Sequence, residues 1–153
     1  MQYAGVSTTS LLADGYSFQT VSEHSLDAPY ALVVDDDKAI VTVIMFLMET
    51  EGYDGIGISD SLKVLDYLEA LAINHLPSVI LLDLMMPGLS GYEIAKTLSH
   101  NERYRRIPII IMTADTRVQC ASAIEGAIDY VAKPFHLDAL LIKLKSYLGP
   151  LSD

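Results

Sequence analysis

The chain has 153 residues, one cysteine, no tryptophan and a formal net charge of −10. That length suits a single domain with a real core, and a make-up that is 51% apolar and 20% charged is globular rather than disordered. The acidity disfavours phosphate backbones as direct partners, so nucleic acid is not expected to bind. No apolar run approaches the roughly 20 residues of a membrane span, and no basic region followed by an apolar stretch opens the chain. With Cys120 as the only cysteine no internal disulfide can form, so a reducing cytoplasm is the expected setting.

Residues 1–28 carry many Ser, Thr and Gly with no clear period, and are expected to form an extension outside the core domain, with room for a short helix. The domain itself is expected to run over 29–149, leaving 150–153 as a tail. It opens with Ala31–Val34, the first of five short apolar or β-branched runs. Ile40, Ile44, Leu47 and Met48 then recur at helical spacing. Gly55–Ile58 is the second run, and Leu62, Leu65 and Leu68 form a weaker helical stripe after it. Val79–Leu82 is the third. Ser90 and Glu93 form a capping box that opens a helix over Ile94, Ala95 and Leu98. Ile109–Met112 follows, then a segment read as helical with Gly126 at its left-handed C-cap. Ile128–Ala132 is the last run, and Leu137, Leu140, Leu141, Leu144 and Leu148 make the clearest stripe of all. Strand and helix alternating five times specify a parallel α/β sheet covered on both faces, because parallel crossovers are helical and right-handed.

In such a sheet ligands bind beyond the carboxyl ends of the strands, so the residues that end each run are a functional test. The first run ends in Asp35-Asp36-Asp37, the third in Asp83, the fourth in Thr113-Ala114 and the fifth in Lys133-Pro134. The second contributes nothing polar of note. Carboxylates converging on one rim repel one another and raise each other's pKa. A divalent cation and the Lys133 ammonium resolve that conflict, and Mg²⁺ fits a site with few carboxylates that a phosphate completes. A carboxylate so held can attack phosphorus and form an acyl phosphate, with Thr113 donating a hydrogen bond. Each residue also has a plainer reading. Asp35–Asp37 can be a solvated turn, Thr113 a helix cap and Tyr130 a core residue. Asp83 resists one, since a carboxylate between Leu82 and Leu84 costs free energy unless it is paired. His24, His75, His100 and His136 show no ligand spacing, and Cys120 reads as an inert helix residue.

Taken together, these motifs resemble the receiver domain of two-component response regulators over roughly residues 29–149. Val33-Val34-Asp35-Asp36-Asp37 resembles the family's acidic cluster, which implies Asp36 as a direct metal ligand and Asp35 as a supporting one. Leu81-Leu82-Asp83-Leu84-Met85-Met86-Pro87-Gly88 resembles the phosphoacceptor strand and turn. It implies Asp83 as acceptor and the Met85 carbonyl as a further ligand of Mg²⁺. Met112-Thr113-Ala114 resembles the switch threonine and its small neighbour, Tyr130 falls on the switch aromatic, and Lys133-Pro134-Phe135 resembles the family's lysine and cis proline.

The resemblance implies a flavodoxin-like doubly wound α/β sheet of five parallel strands in order 2-1-3-4-5. It also implies phosphoryl transfer from a sensor histidine kinase or histidine phosphotransfer protein to Asp83, and signalling to a downstream protein by a shift between two states. Beyond its own phosphorylation and dephosphorylation no enzymatic turnover is expected, and no attached output domain. Such a receiver acts as a chemotaxis-like output protein or as a relay intermediate. An aspartyl-phosphate phosphohydrolase and an unphosphorylated docking module are the other classes. The first needs a second Asp where Met85 stands, and the second leaves the set of Asp36, Asp83, Thr113 and Lys133 without a purpose. The stretch between Thr113 and Lys133 looks shorter than in the family. Val43 and Phe46 lie off the sheet-facing stripe, where either a phosphodonor or Leu11, Leu12, Tyr16 and Phe18 of the extension could cover them.

Overall fold

The computed structural model of the chain describes residues 10–11, 16–18 and 28–151. Its centre is a parallel sheet of β3 (Tyr30–Val34), β4 (Asp54–Ile58), β5 (Val79–Asp83), β6 (Ile109–Thr113) and β7 (Asp129–Ala132). Their order across the sheet is β4-β3-β5-β6-β7, the flavodoxin-like order 2-1-3-4-5 in parallel-strand numbering. Two short strands, β1 (Ser10–Leu11) and β2 (Tyr16–Phe18), extend the sheet beyond β4 by antiparallel pairing, with Ser17 opposite Gly57. Parts of the expected extension therefore join the sheet edge as strands. Leu12 lies outside the described residues. Val43 and Phe46 are exposed, at 46% and 67%, so they are not covered.

Among the described residues four α-helices flank the sheet: α1 (Lys38–Thr50), α2 (Val64–Ala70), α3 (Gly91–Ser99) and α4 (Leu137–Leu148). Strand side chains alternate between the two faces. Leu32, Val34, Ile80, Leu82, Ile109 and Ile111 enter a core shared with α2 and α3. Ala31, Val33, Val79, Leu81, Ile110 and Met112 enter a second core shared with α1 and α4. Every residue of β5 is buried, since it lies mid-sheet with both faces covered.

Two local expectations need correction. Helix α1 buries Val41, Ile44, Met45 and Met48, whereas Ile40 and Leu47 are only half-buried. The stripe is turned because α1 sits close on two glycines of β4. A Cβ on Gly57 would lie 2.4 Å from Val41 Cγ1, and one on Gly55 3.0 Å from Met45 Sδ. The second correction concerns the stretch after β6. Between Thr113 and Asp129 there is no α-helix, only a 3₁₀ turn at Ala121–Ala123, and exposed Cys120 precedes that turn. Val118 and Ile124 both enter the core with α2 and α3, and their spacing would put them on different faces of a helix. Asp115 adds a local turn, its carboxylate accepting the Arg117 amide at 2.9 Å. Gly126 has φ +89°, and a Cβ there would lie 2.6 Å from the Ala95 carbonyl oxygen, so the backbone lies against α3 rather than capping a helix.

The capping box forms as expected: the Glu93 amide donates to Ser90 Oγ at 3.2 Å and the Ser90 amide to Glu93 Oε2 at 3.0 Å. No helix among the described residues is long and apolar enough to cross a membrane.

Candidate functional site

Alternation along the strands accounts for the site. Asp83 continues the side of β5 that carries Val79 and Leu81. Asp35 continues the side of β3 that carries Ala31 and Val33, and Lys133 the side of β7 that carries Val131. All three therefore project from the face that packs on α1 and α4, at the carboxyl end of the sheet. Lys133 Nζ lies 2.6 Å from Asp35 Oδ2 and 3.6 Å from Asp83 Oδ1. Asp36, just past the strand end, is exposed, and the carboxylates of Asp35, Asp36 and Asp83 offer oxygens within 4.8 Å of one another.

Asp35 and Asp83 are buried at 0% and 4% exposure. Burial raises the Asp83 carboxyl from its ordinary value near 3.8 to about 6, and the Asp35 charge adds to that; Lys133 and the Met85 amide pull the other way. The Met85 amide donates to Asp83 Oδ1 at 3.3 Å while the Met85 side chain is exposed. Asp37 has a different task. Its carboxylate caps α1 by accepting the Ala39 amide at 2.9 Å, and its own amide donates to Asp35 Oδ1.

Thr113 ends β6 on the other parity, fully buried, and its hydroxyl oxygen accepts the Asp115 amide at 2.9 Å. That leaves the hydroxyl proton free to be donated. Tyr130 shares this parity on the neighbouring strand and is half-buried against the core with α2 and α3. Ala114 is exposed at the rim, and the Lys133–Pro134 peptide is cis. The lysine amide donates to the Thr113 carbonyl at 2.7 Å, which joins the ends of β6 and β7. Sequence spacing therefore named residues that the fold brings to one rim, with Thr113 and Tyr130 on its far side.

Three contributors went unseen in the sequence. Gly91 packs so tightly under the end of β5 that a Cβ would lie 2.1 Å from the Asp83 carbonyl oxygen. Arg117 hydrogen-bonds the Asp115 carboxylate and lowers it to about 2, fixing the turn beside Thr113. Ser61, just beyond the second parallel strand, is 2% exposed and bonds the turn that follows Asp83. Only Gly91 had a signal, its place directly after the capping serine; nothing linear marks Ser61 or Arg117.

The response regulator receiver domain family matches residues 31–145. The chain belongs to that family. Among curated proteins, this receiver is 34% identical over 122 residues to the DNA-binding dual master transcriptional regulator RpaA of Synechocystis, covering 78% of this chain and 49% of RpaA. It thus spans about half the length of that relative. Against the polar-differentiation response regulator DivK of Brucella ovis the identity is 33%, over 77% of this chain and 94% of DivK. Among solved structures, the receiver domain of the sensor histidine kinase PA1611 from Pseudomonas aeruginosa superposes with a TM-score of 0.67 at 28% identity. The match covers 80% of this chain and 99% of that one, whose active-site cleft coordinates magnesium. Receivers are signalling domains, and accepting phosphate from histidine kinases is general to the family. The donor set of this chain suits the family's metal: three carboxylates supply hard oxygens, and Lys133 leaves them net negative.

Proposed function

We propose that this receiver takes a phosphoryl group from a phosphohistidine partner onto Asp83 and signals through Thr113 and Tyr130. The observation that supports it is the buried Asp83 carboxylate, facing Lys133 and set among two further carboxylates at the end of the central strand. An Asp83 oxygen attacks phosphorus, an O–P bond forms as the N–P bond to imidazole breaks, and the imidazole leaves with the electron pair. No general base is required, because the nucleophile is already a carboxylate. Lys133 Nζ holds the Asp83 side chain in place and meets the incoming negative charge. The free hydroxyl proton of Thr113 is the donor for a phosphoryl oxygen, and drawing Thr113 toward it opens room that half-buried Tyr130 can fill. Asp36, Asp83 and the Met85 carbonyl are the direct Mg²⁺ ligands in this reading, with Asp35 in support. When bound, Mg²⁺ neutralises the oxygens of the transferring group.

We place the receiver at 29–149 and its work in the cytoplasm. The chain's net charge of −10 keeps nucleic acid off the list of its direct partners in this reading, although RpaA is DNA-binding by name. Incubation with acetyl phosphate and Mg²⁺, read by intact mass, tests the reading. One added phosphoryl group supports it; phosphate released over many turnovers points to a hydrolase, and no adduct points to a docking module.

The acidic run supplies a sharper check. Asp36→Ala is expected to weaken Mg²⁺ binding by about tenfold or more and to slow phosphorylation, because it removes one of three converging carboxylates. Asp37→Ala is expected to leave Mg²⁺ affinity within about twofold while costing about 1 kcal/mol of stability through the lost helix cap. Calorimetric Mg²⁺ titrations of both variants decide it, and equal losses would sink the assignment of Asp36.

A further inference from the structure

The loop after β4 carries a buried hydroxyl that the reaction above does not use. Ser61 is 2% exposed, and its Oγ does two things at once. It donates to the Pro87 carbonyl at 2.7 Å and accepts the Leu89 amide at 3.0 Å. These two groups flank Gly88, which has φ +82° and whose Cβ, were there one, would sit 3.0 Å from that same oxygen and 3.2 Å from Leu62 Cγ. A serine hydroxyl has one proton and two lone pairs, and here the proton and one lone pair are spent on a single turn.

That turn runs from the end of β5 to the start of α3. Its near half is held from below, the Leu84 amide donating to the Met112 carbonyl at 3.3 Å and Leu84 and Met86 lying buried in the core. Its far half, Pro87 to Leu89, is held by the two Ser61 hydrogen bonds and by Leu89, which packs partly buried against the core with α2 and α3. Within the near half stands Met85, between buried Leu84 and Met86; its side chain is exposed but its amide bonds Asp83 Oδ1. Fixing both ends of a short turn fixes the peptide planes inside it, because each residue has only two soft dihedrals.

We infer that Ser61 is a positioning residue for the phosphoacceptor site, a tether from the loop after β4 that holds the Met85 peptide at a set height beside Asp83. Its amide then stays on the carboxylate and its carbonyl faces the cation site. The inference rests on the phosphoacceptor reading for the second half of that statement, and on geometry alone for the first. A burial role by itself would require only a small side chain at this position; the tether requires a hydroxyl.

The experiment compares Ser61→Ala and Ser61→Thr with the parent protein by amide hydrogen exchange without metal, then by calorimetric titration with MgCl₂. In Ser61→Ala, exchange at Leu89 and also at Met85 is expected to accelerate by about tenfold, with the core strands unchanged. Mg²⁺ affinity is expected to fall by about tenfold, as for other groups that orient metal ligands, and Ser61→Thr is expected to recover both. Acceleration confined to Leu89, or unchanged Mg²⁺ affinity beside a parent that binds the ion, overturns the positioning role. A parent that binds no Mg²⁺ overturns the phosphoacceptor reading instead, and the Met85 exchange then decides the tether by itself.

Discussion

Asp83→Asn is expected to abolish the hydroxylamine-labile phosphoryl adduct completely and, at neutral pH, to raise the melting temperature. The first effect follows from chemistry: an amide oxygen is no nucleophile toward phosphorus, and the other carboxylates of the rim lie on or beyond a different strand. The second follows from linkage. The folded protein holds the Asp83 proton more tightly than the unfolded chain does, with the carboxyl moved from about 3.8 up to about 6 by burial and by Asp35. Below about pH 4 both states are protonated and the site costs nothing. Between about 4 and 6 only the unfolded state releases the proton freely, so this group makes the parent lose stability as pH rises. Above 6 the full penalty remains.

Asn carries no charge, so the variant escapes that penalty. Without divalent cations the difference should be near zero at pH 4 and reach about 1–3 kcal/mol by pH 7.5, or several degrees of melting temperature. An adduct that persists at full yield in the variant removes Asp83 from its role. A stability difference equally large at pH 4 and pH 7.5 would assign the effect to packing rather than to charge.

Gly91→Ala is expected to damage both stability and phosphorylation, although the substitution adds only one methyl group. Alanine is otherwise the better helix residue, and Gly91 does not need a positive φ, so propensity predicts a gain. Contact predicts the reverse. The new Cβ would meet the Asp83 carbonyl oxygen at 2.1 Å and the Leu84 Cα at 2.7 Å, both backbone atoms that cannot swing aside. Relief requires moving the start of α3 or the end of β5, and the Gly91 amide bond to the Leu84 carbonyl at 3.0 Å ties the two together. Overpacking of this kind costs about 2–3 kcal/mol. The shift also moves Asp83 relative to Lys133, so the rate of adduct formation should fall by about tenfold or more. Thermal melts and acetyl phosphate kinetics check it, and a more stable, fully reactive variant would show that the contact relaxes without cost.

Periodicity and strand-end chemistry by themselves determined the five parallel strands, their approximate bounds and the chemical make-up of the rim, but not the antiparallel β1 and β2 at the sheet edge. Short apolar runs such as Val79–Leu82, bounded by turn residues, read as central parallel strands, and Asp83 at the end of one demands a partner. Tertiary structure decided what depends on distance between segments remote in the chain. The stripe of α1 turned toward Val41 and Met45 because Gly55 and Gly57, on another element, left a groove. The expected helix after β6 did not form, because Val118 and Ile124 both gain more from the core than a helical repeat would allow them. The tether from Ser61 has no linear signature at all, and the close packing of Gly91 has only its place after the capping serine. A serine's two hydrogen bonds and a missing Cβ acquire meaning only when another backbone comes within about 3 Å, and which backbone does so is settled by the packing of the whole domain.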